Sequence, residues 1–496
     1  MARPLAGDRV IVRDLATAAR REFDLVIIGG GIYGVSLLHE AARRGRSACL
    51  CEAGDFGGGT SWNSLRIAHG GLRYLQTMHL RRFFQSVAAR RCLARQFPTL
   101  VRPLACLMPL YGQGMKRVAV MRIALWMNDI LSGHRNKGVA AAVRLPSGGV
   151  LDAAKTRNRF PHVRGAGLEG AAHWSDLFMI SSERIVLELL RDACRAGAVA
   201  INYAPALDII SDGKVARGIR VRDLVSGAEH SIAARAVVNC TGPQVRNFAR
   251  GRGGDAERLF RPSLAFNIML DLALPTESAL AVAPPRPGAP VLFVVPQRRT
   301  LLAGTRHLPR PAETTEAAPT EAEIEQFLAE LNQAIPGLNA GLGNVRRVFA
   351  GLLPATTAGS NILTKREVLL DHGKAGGLDR LYSVSGVKFT TANDVARQTM
   401  TMLGMIGMGA DDVSHLPLSP ATALLTDARL FLEMDAGVVQ SMLRRVIEEE
   451  SVQCLDDLVL RRTNWATTEA DLDRVRSRVA QLANLPAAVP KGLKCA

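Results

Sequence analysis

A short apolar run, Phe23-Asp24-Leu25-Val26-Ile27-Ile28, leads directly into Gly29-Gly30-Gly31-Ile32-Tyr33-Gly34. This junction constrains the fold more than any other segment. The run reads as a buried parallel strand. Glycines 29, 31 and 34 have the spacing GxGxxG, and a helical stretch follows from about Val35 to Arg44, stopping at Gly45. A second strand, Ser47 to Leu50, precedes Glu52, which lies 23 residues after Gly29. Each part has a physical reason. Gly29 permits a tight turn, Gly31 lets backbone approach a pyrophosphate, and Gly34 lets helix and strand pack closely. The helix N-terminus faces the phosphates, and Glu52 is placed to accept hydrogen bonds from a ribose. The unit predicts dinucleotide binding without choosing between a nicotinamide and a flavin cofactor.

The chain has 496 residues, 48% hydrophobic and 22% charged, which excludes a disordered or fibrous chain and allows two or three domains. Eight cysteines show no CxxC or Cys/His spacing, so neither a metal site nor a disulfide scaffold is expected. Met1 to Arg21 has no apolar signal-peptide core, and no apolar run reaches the ~18 residues that span a bilayer. The chain therefore reads as soluble or seated on a membrane surface. Its formal net charge is +17. Between Ser64 and Lys137, 13 Lys and Arg face a single acid, Asp129.

The segment Asp55 to Leu75 reads DFGGGTSWNSLRIAHGGLRYL. It resembles the second signature of FAD-dependent glycerol-3-phosphate dehydrogenases, within the D-amino-acid-oxidase-like flavoprotein superfamily. Thr60, Ser61, Ser64, His69, Gly70, Gly71, Leu72, Arg73, Tyr74 and Leu75 match that pattern. Three later segments are also similar to family motifs: AVVNCTGP at Ala236–Pro243, YSVSGVKFTT at Tyr382–Thr391 and CLDDLVLRRT at Cys454–Thr463. The resemblance implies an α/β (α+β) architecture. A Rossmann-like FAD-binding domain (residues 22–110, 180–260 and 345–410) is interleaved with an antiparallel-sheet substrate and membrane-facing domain (111–179 and 261–344). An N-terminal extension (1–21) precedes them and a C-terminal helical domain (411–496) follows.

The implied activity is oxidation of a secondary alcohol, sn-glycerol 3-phosphate or a related small anionic hydroxy compound. Hydride passes to flavin N5 and electrons pass on to quinone. Such chemistry needs a base for the hydroxyl proton, cations for the anionic group and positive potential beside the flavin. Cofactor contacts are expected from Gly29, Gly31, Gly34, Glu52, Thr60, Ser61, Ser64, Thr241, Gly242, Gly386, Lys388, Thr390 and Thr391. Catalysis is assigned to His69, Arg73, Lys388 and Arg366, and substrate contact to His69, Arg73, Tyr74, Arg306 and Arg366. Arg73 has the planar fork that suits phosphate or carboxylate. Lys388 lies just before the helical run Asn393 to Met402 and suits the flavin N1/O2 edge.

Three positions depart from the family pattern. Leu353 stands where an arginine is expected, Asn267 falls in a segment that lacks the usual Lys and His, and Arg306-His307 replace a segment ending in Asp. Arg306, or Arg346 and Arg347, would have to supply the missing cation, unless the substrate differs. The departures leave room for an amino-acid or amine oxidase of the same superfamily that uses oxygen, and for a flavoprotein without turnover.

The basic segment reads as two amphipathic helices. In Thr77 to Phe97, Leu80, Phe83, Phe84, Val87 and Ala94 share a side. In Lys116 to Leu131, Val118, Met121, Leu125, Trp126 and Ile130 form a stripe beside Lys116, Arg117 and Arg122. Basic residues around an apolar stripe suit an anionic lipid surface, so peripheral attachment to the inner face of the cytoplasmic membrane is expected. Aromatics are not interleaved with the basic runs, which argues against nucleic acid. A homodimer is compatible with the sequence.

Overall fold

The computed structural model describes residues 10–76, 78–112, 114–297, 299–405, 416, 428–468 and 472–486. The strand Leu25–Ile28 is buried at every position, as an aliphatic run covered on both faces must be. It pairs in parallel with Ala48–Cys51 on one side and Val237–Asn239 on the other. Val199–Ile201 extends the sheet at one edge, and Leu381–Ser385 and Val368–Asp371 extend it at the other. Only that last pair is antiparallel. Helices Ile32–Arg43, Ser182–Arg195 and Ala392–Met402 pack on one face, in a core that joins Leu25 and Ile27 of the strand to Val35, Leu38, Val186 and Val395. A four-stranded sheet built from Glu22–Phe23, Ala206–Asp212, Val215–Arg222 and Glu229–Ala234 covers the other.

A second, larger sheet runs in the order Val345–Pro354, Pro262–Leu270, Thr300–Pro309, Leu292–Gln297, Ala279–Val282, Val101–Leu110, Gly170–Met179 and Ile67–Ala68, with Gly149–Asp152 attached to Gly170–Met179. Its two faces follow from the two-residue period of a strand. Leu264, Phe266, Ile268 and Leu270 point to one core, where Phe266 meets Phe327 of the helix Glu321–Ala334 edge-on at 5.5 Å. That helix begins with a capping box between Thr320 and Glu323. Met269, Leu302 and Phe349 point the other way.

The expected domain boundaries shift at two places. Val101–Leu110 pairs with Gly170–Met179, and Val345–Pro354 pairs with Pro262–Leu270, so both belong to the large sheet and not to the sheet of Leu25–Ile28. The strand Thr300–Pro309 runs on past His307 because Leu264 and Ser263 supply pairing partners for Leu308 and Pro309. The helix expected over Thr77 to Phe97 is Leu80–Gln96, preceded by the short helix Leu72–Gln76. Phe83 is fully buried there while Phe84 is 39% exposed, so the two do not share a face. The C-terminal region is helical at Ala428–Glu433, Ala436–Glu449, Trp465–Thr468 and Leu472–Ala483, with a π-helical turn at Asp457–Arg462. Residues 406–410 and the tail Lys491 to Ala496 lie outside the described residues.

Candidate active site

The glycine junction forms a tight cradle. Gly29 has φ +105°, and a Cβ there would lie 2.6 Å from the Cys240 carbonyl oxygen. A Cβ on Gly34 would lie 1.9 Å from the Gly29 carbonyl oxygen, so only glycine lets the helix start here. Gly31 is the N-cap residue of the helix. Glu52 accepts from the backbone amides of Gly30 at 2.5 Å and Gly54 at 2.9 Å. Burial pushes its carboxyl up, against the pull of those amides. On the neighbouring strand end, the Thr241 hydroxyl donates to Asn239 Oδ1 at 2.7 Å, and Gly242 has φ +58°.

The loop after Glu52 lies across the large sheet. The Ile32 amide donates to Ser61 Oγ at 2.9 Å, so Ser61 caps the first amide of the helix. Thr60 Oγ1 donates to the Leu352 carbonyl at 3.4 Å, and a Cβ on Gly351 would lie 2.7 Å from the Thr60 methyl carbon. Asn267 donates from Nδ2 to the Asn63 carbonyl at 3.1 Å and accepts from the Thr305 hydroxyl at 2.8 Å. Trp62 meets Phe349 edge-on at 5.5 Å. Ser64 Oγ accepts from the Arg66 amide at 3.2 Å and shapes the turn into the strand Ile67–Ala68.

His69 and Arg73 flank the Gly70-Gly71 turn, and both are exposed. The His69 ring rests on Phe293 with centroids 4.9 Å apart, and its Nδ1 lies 3.1 Å from Asp176 Oδ2. Arg73 makes no ion pair among the described residues. Lys388 Nζ sits 4.4 Å from the centre of the Tyr74 ring, a cation–π contact. The Lys388 backbone is fixed by Tyr33, whose hydroxyl accepts from the Lys388 amide and donates to its carbonyl, both at 3.0 Å. Burial pushes the Tyr33 hydroxyl well above the usual range, so it stays protonated. A Cβ on Gly386 would lie 2.3 Å from the Tyr33 oxygen, which explains the glycine. Thr391 Oγ1 donates to the Lys388 carbonyl at 3.2 Å, and Thr390 lies in the same helical turn, Phe389–Thr391. Ser385 Oγ is buried with no hydrogen-bond partner among the described residues.

Arg306 differs from its expected place. It stands opposite Phe266, on the face that meets the helix Glu321–Ala334, and donates to Glu330 Oε2 at 2.8 Å. The residue on the opposite face, which Asn267 shares, is His307, opposite Ala265. Its Nδ1 is buried without a hydrogen-bond partner among the described residues. Burial, with the Arg73 and Arg306 guanidiniums, pushes its imidazole down to about 4. Leu353, opposite Ser263, lies on the same face of the sheet as His307 and is half-buried. Of the other arginines considered as replacements, Arg346 pairs with Asp271, whereas Arg347 lies over Trp62 at 5.9 Å from its centre. Arg366 is exposed and makes no ion pair among the described residues.

A family model described as FAD dependent oxidoreductase matches residues 24–397. The chain belongs to this family. It is 28% identical over 410 residues to glycerol-3-phosphate dehydrogenase of Synechocystis, covering 78% of this chain and 71% of that one. It is 29% identical over 348 residues to alpha-glycerophosphate oxidase of Streptococcus pyogenes, covering 68% of this chain and 55%, about half, of the oxidase. Among solved structures, glycerol-3-phosphate dehydrogenase from Bacillus halodurans, complexed with FAD, has a TM-score of 0.68 at 18% identity over 97% of this chain and 98% of that one. Glycine oxidase from Bacillus cereus has a TM-score of 0.55 at 14% identity over 79% and 99%. Both are likenesses of fold.

As a member of the FAD dependent oxidoreductase family, the chain has residues that fit FAD. Glu52, the cradle at Gly29 to Gly34 and the unpartnered Ser385 Oγ beside Gly386 are the groups that would hold it. The C-terminal motif, by contrast, makes an interior contact. Asp55 accepts from Arg461 Nε at 2.5 Å, from Arg462 Nη1 at 2.5 Å and Nη2 at 3.0 Å, and from Asn202 Nδ2 at 3.0 Å. Burial opposes the charged form, yet Arg462 and Arg461 hold the Asp55 carboxyl at about 2. Glu450 adds a buried pairing to Arg184 and Arg191 on the helix Ser182–Arg195. The Arg-Arg pair therefore fastens the C-terminal helices to the loop between Glu52 and Thr60.

Proposed function

We propose that this FAD-dependent oxidoreductase oxidises the secondary hydroxyl of a small anionic substrate, sn-glycerol 3-phosphate, to the ketone. The observation that carries this reading is a set of groups on one side of the cofactor cradle: the exposed His69, Lys388, and Arg73, which makes no ion pair among the described residues. Bound FAD supplies the two-electron acceptor. Arg73 holds the anionic group bidentately. His69 takes the hydroxyl proton, and Lys388 provides positive charge at the cofactor edge. The similarity to a glycerol-3-phosphate dehydrogenase and a glycerophosphate oxidase supports the same substrate. Anaerobic mixing of the holoprotein with glycerol 3-phosphate should abolish the oxidised-flavin absorbance band; persistence of the band at millimolar substrate would refute the assignment.

Electrons then pass to a quinone at a membrane surface. The exposed Ile123, Trp126 and Ile130 of the helix Val118–Leu131, beside Arg117 and Arg122, support seating on an anionic leaflet. Leu353 favours a second reading, an amine oxidase, because leucine binds no phosphate. Hydrogen peroxide formed from amino acids, with no flavin reduction by polyol phosphates, would select that reading.

A further inference from the structure

Asp176 is buried at the middle of the strand Gly170–Met179, and no sequence motif drew attention to it. Four donors converge on its carboxylate. Oδ1 accepts from the Gly70 amide and from Arg90 Nη1, both at 2.7 Å. Oδ2 faces His69 Nδ1 and the Trp174 indole Nε1, both at 3.1 Å. An ionised carboxylate only accepts, so the His69 nitrogen that faces it must carry the proton. We propose that Asp176 is a positioning residue that fixes the His69 proton on Nδ1 and leaves Nε2 as the acceptor of the substrate's hydroxyl proton. This rests on the alcohol-oxidation reading above.

The surroundings fit the role. Burial works against the ionised form, but His69, Arg90 and the Gly70 amide hold the Asp176 carboxyl far below the usual range. Arg90 comes from the helix Leu80–Gln96 and Trp174 from the same strand as Asp176. Cys106, on the strand paired with it, is kept as a neutral thiol by burial. Phe293 walls the other side of the imidazole. In the step itself, the substrate O–H bond breaks and an N–H bond forms at His69 Nε2. The carbinol C–H bond breaks, and its hydrogen leaves with both electrons for the flavin. Asp176 gains no proton; it stabilises the imidazolium that results.

The alternative is that Asp176 only neutralises Arg90. Asp176→Asn separates the two, because an amide nitrogen facing His69 Nδ1 favours the opposite tautomer. In the holoprotein, flavin reduction by glycerol 3-phosphate should slow by about 10²–10⁴-fold. Substrate affinity should stay within about threefold, and the acid limb of the pH–rate profile should move to lower pH. Trp174→Phe, which removes one donor to the same oxygen, should give a smaller fall in rate with the same split. Independently of turnover, ¹⁵N-histidine NMR, with His69 identified through His69→Gln, should show the Nδ1–H form in the unsubstituted protein. Asp176→Asn should shift it towards Nε2–H. An Nε2–H form in the unsubstituted protein, or an unmoved pH profile in the variant, would overturn the proposal. Failure of glycerol 3-phosphate to reduce the unsubstituted holoprotein would instead strike the substrate reading and leave the NMR result to decide on Asp176.

Discussion

At Gly34 a single hydrogen decides whether the cofactor helix can begin. A methyl group there would sit 1.9 Å from the Gly29 oxygen. Gly34→Ala should therefore yield protein without flavin, measured as the ratio of flavin to protein absorbance. Lys388→Met should keep flavin but slow its reduction by about 10²-fold, measured by anaerobic stopped flow. The cradle was legible in the sequence because its constraints are local: turn, helix start and acid follow within thirty residues. Asp176 was not legible, because the residue it orients is 107 positions away. Tyr33 sat inside the glycine motif, yet its partner Lys388 is 355 positions away. Arg306 was misplaced for a different reason. A bulge between Phe266 and Ile268 offsets the register, and a one-residue offset exchanges the faces of a strand. His307, not Arg306, then shares the face of Asn267 and the Thr60 loop.

The helix Val118–Leu131 shows how far periodicity alone goes. Its existence and basic start were legible, but the apolar stripe was not one stripe. Met121 and Leu125 are buried in the core that includes Trp174, while Ile123, Trp126 and Ile130 are 60%, 65% and 58% exposed. A helix apolar on two sides reports two contacts, and one sequence pattern cannot say which side meets the protein. The outward side gives a prediction at this scale. The protein should co-sediment with vesicles containing anionic lipid, and Ile123→Ser combined with Trp126→Ala should weaken that binding by at least about tenfold. Flavin reduction in solution should be unchanged by these substitutions. Retention of full vesicle binding by the double variant would exclude this helix as the attachment site.

Across the whole molecule, the buried charges at Asp55, Arg461 and Arg462 join the two ends of the chain's function. Arg462→Ala leaves Asp55 short of a partner in the interior and should cost about 3–5 kcal/mol, read as a lower thermal midpoint and early loss of flavin. Acid should act at the same place. The Asp55 carboxyl lies at about 2 against an ordinary 3.8, so its contribution is full above about pH 4 and is lost as pH falls towards 2. Fluorescence of the fully buried Trp465 should report this release. The contact also has a consequence for synthesis. The strand Leu25–Ile28 and its helix leave the ribosome early, but the strand Leu381–Ser385 and the arginines that pin Asp55 follow hundreds of residues later. A growing chain thus displays the helix Ile32–Arg43 long before the arginines that pin Asp55 have been made. Capture of the flavin becomes an event of the nearly finished polypeptide, and a truncated product would be born without colour.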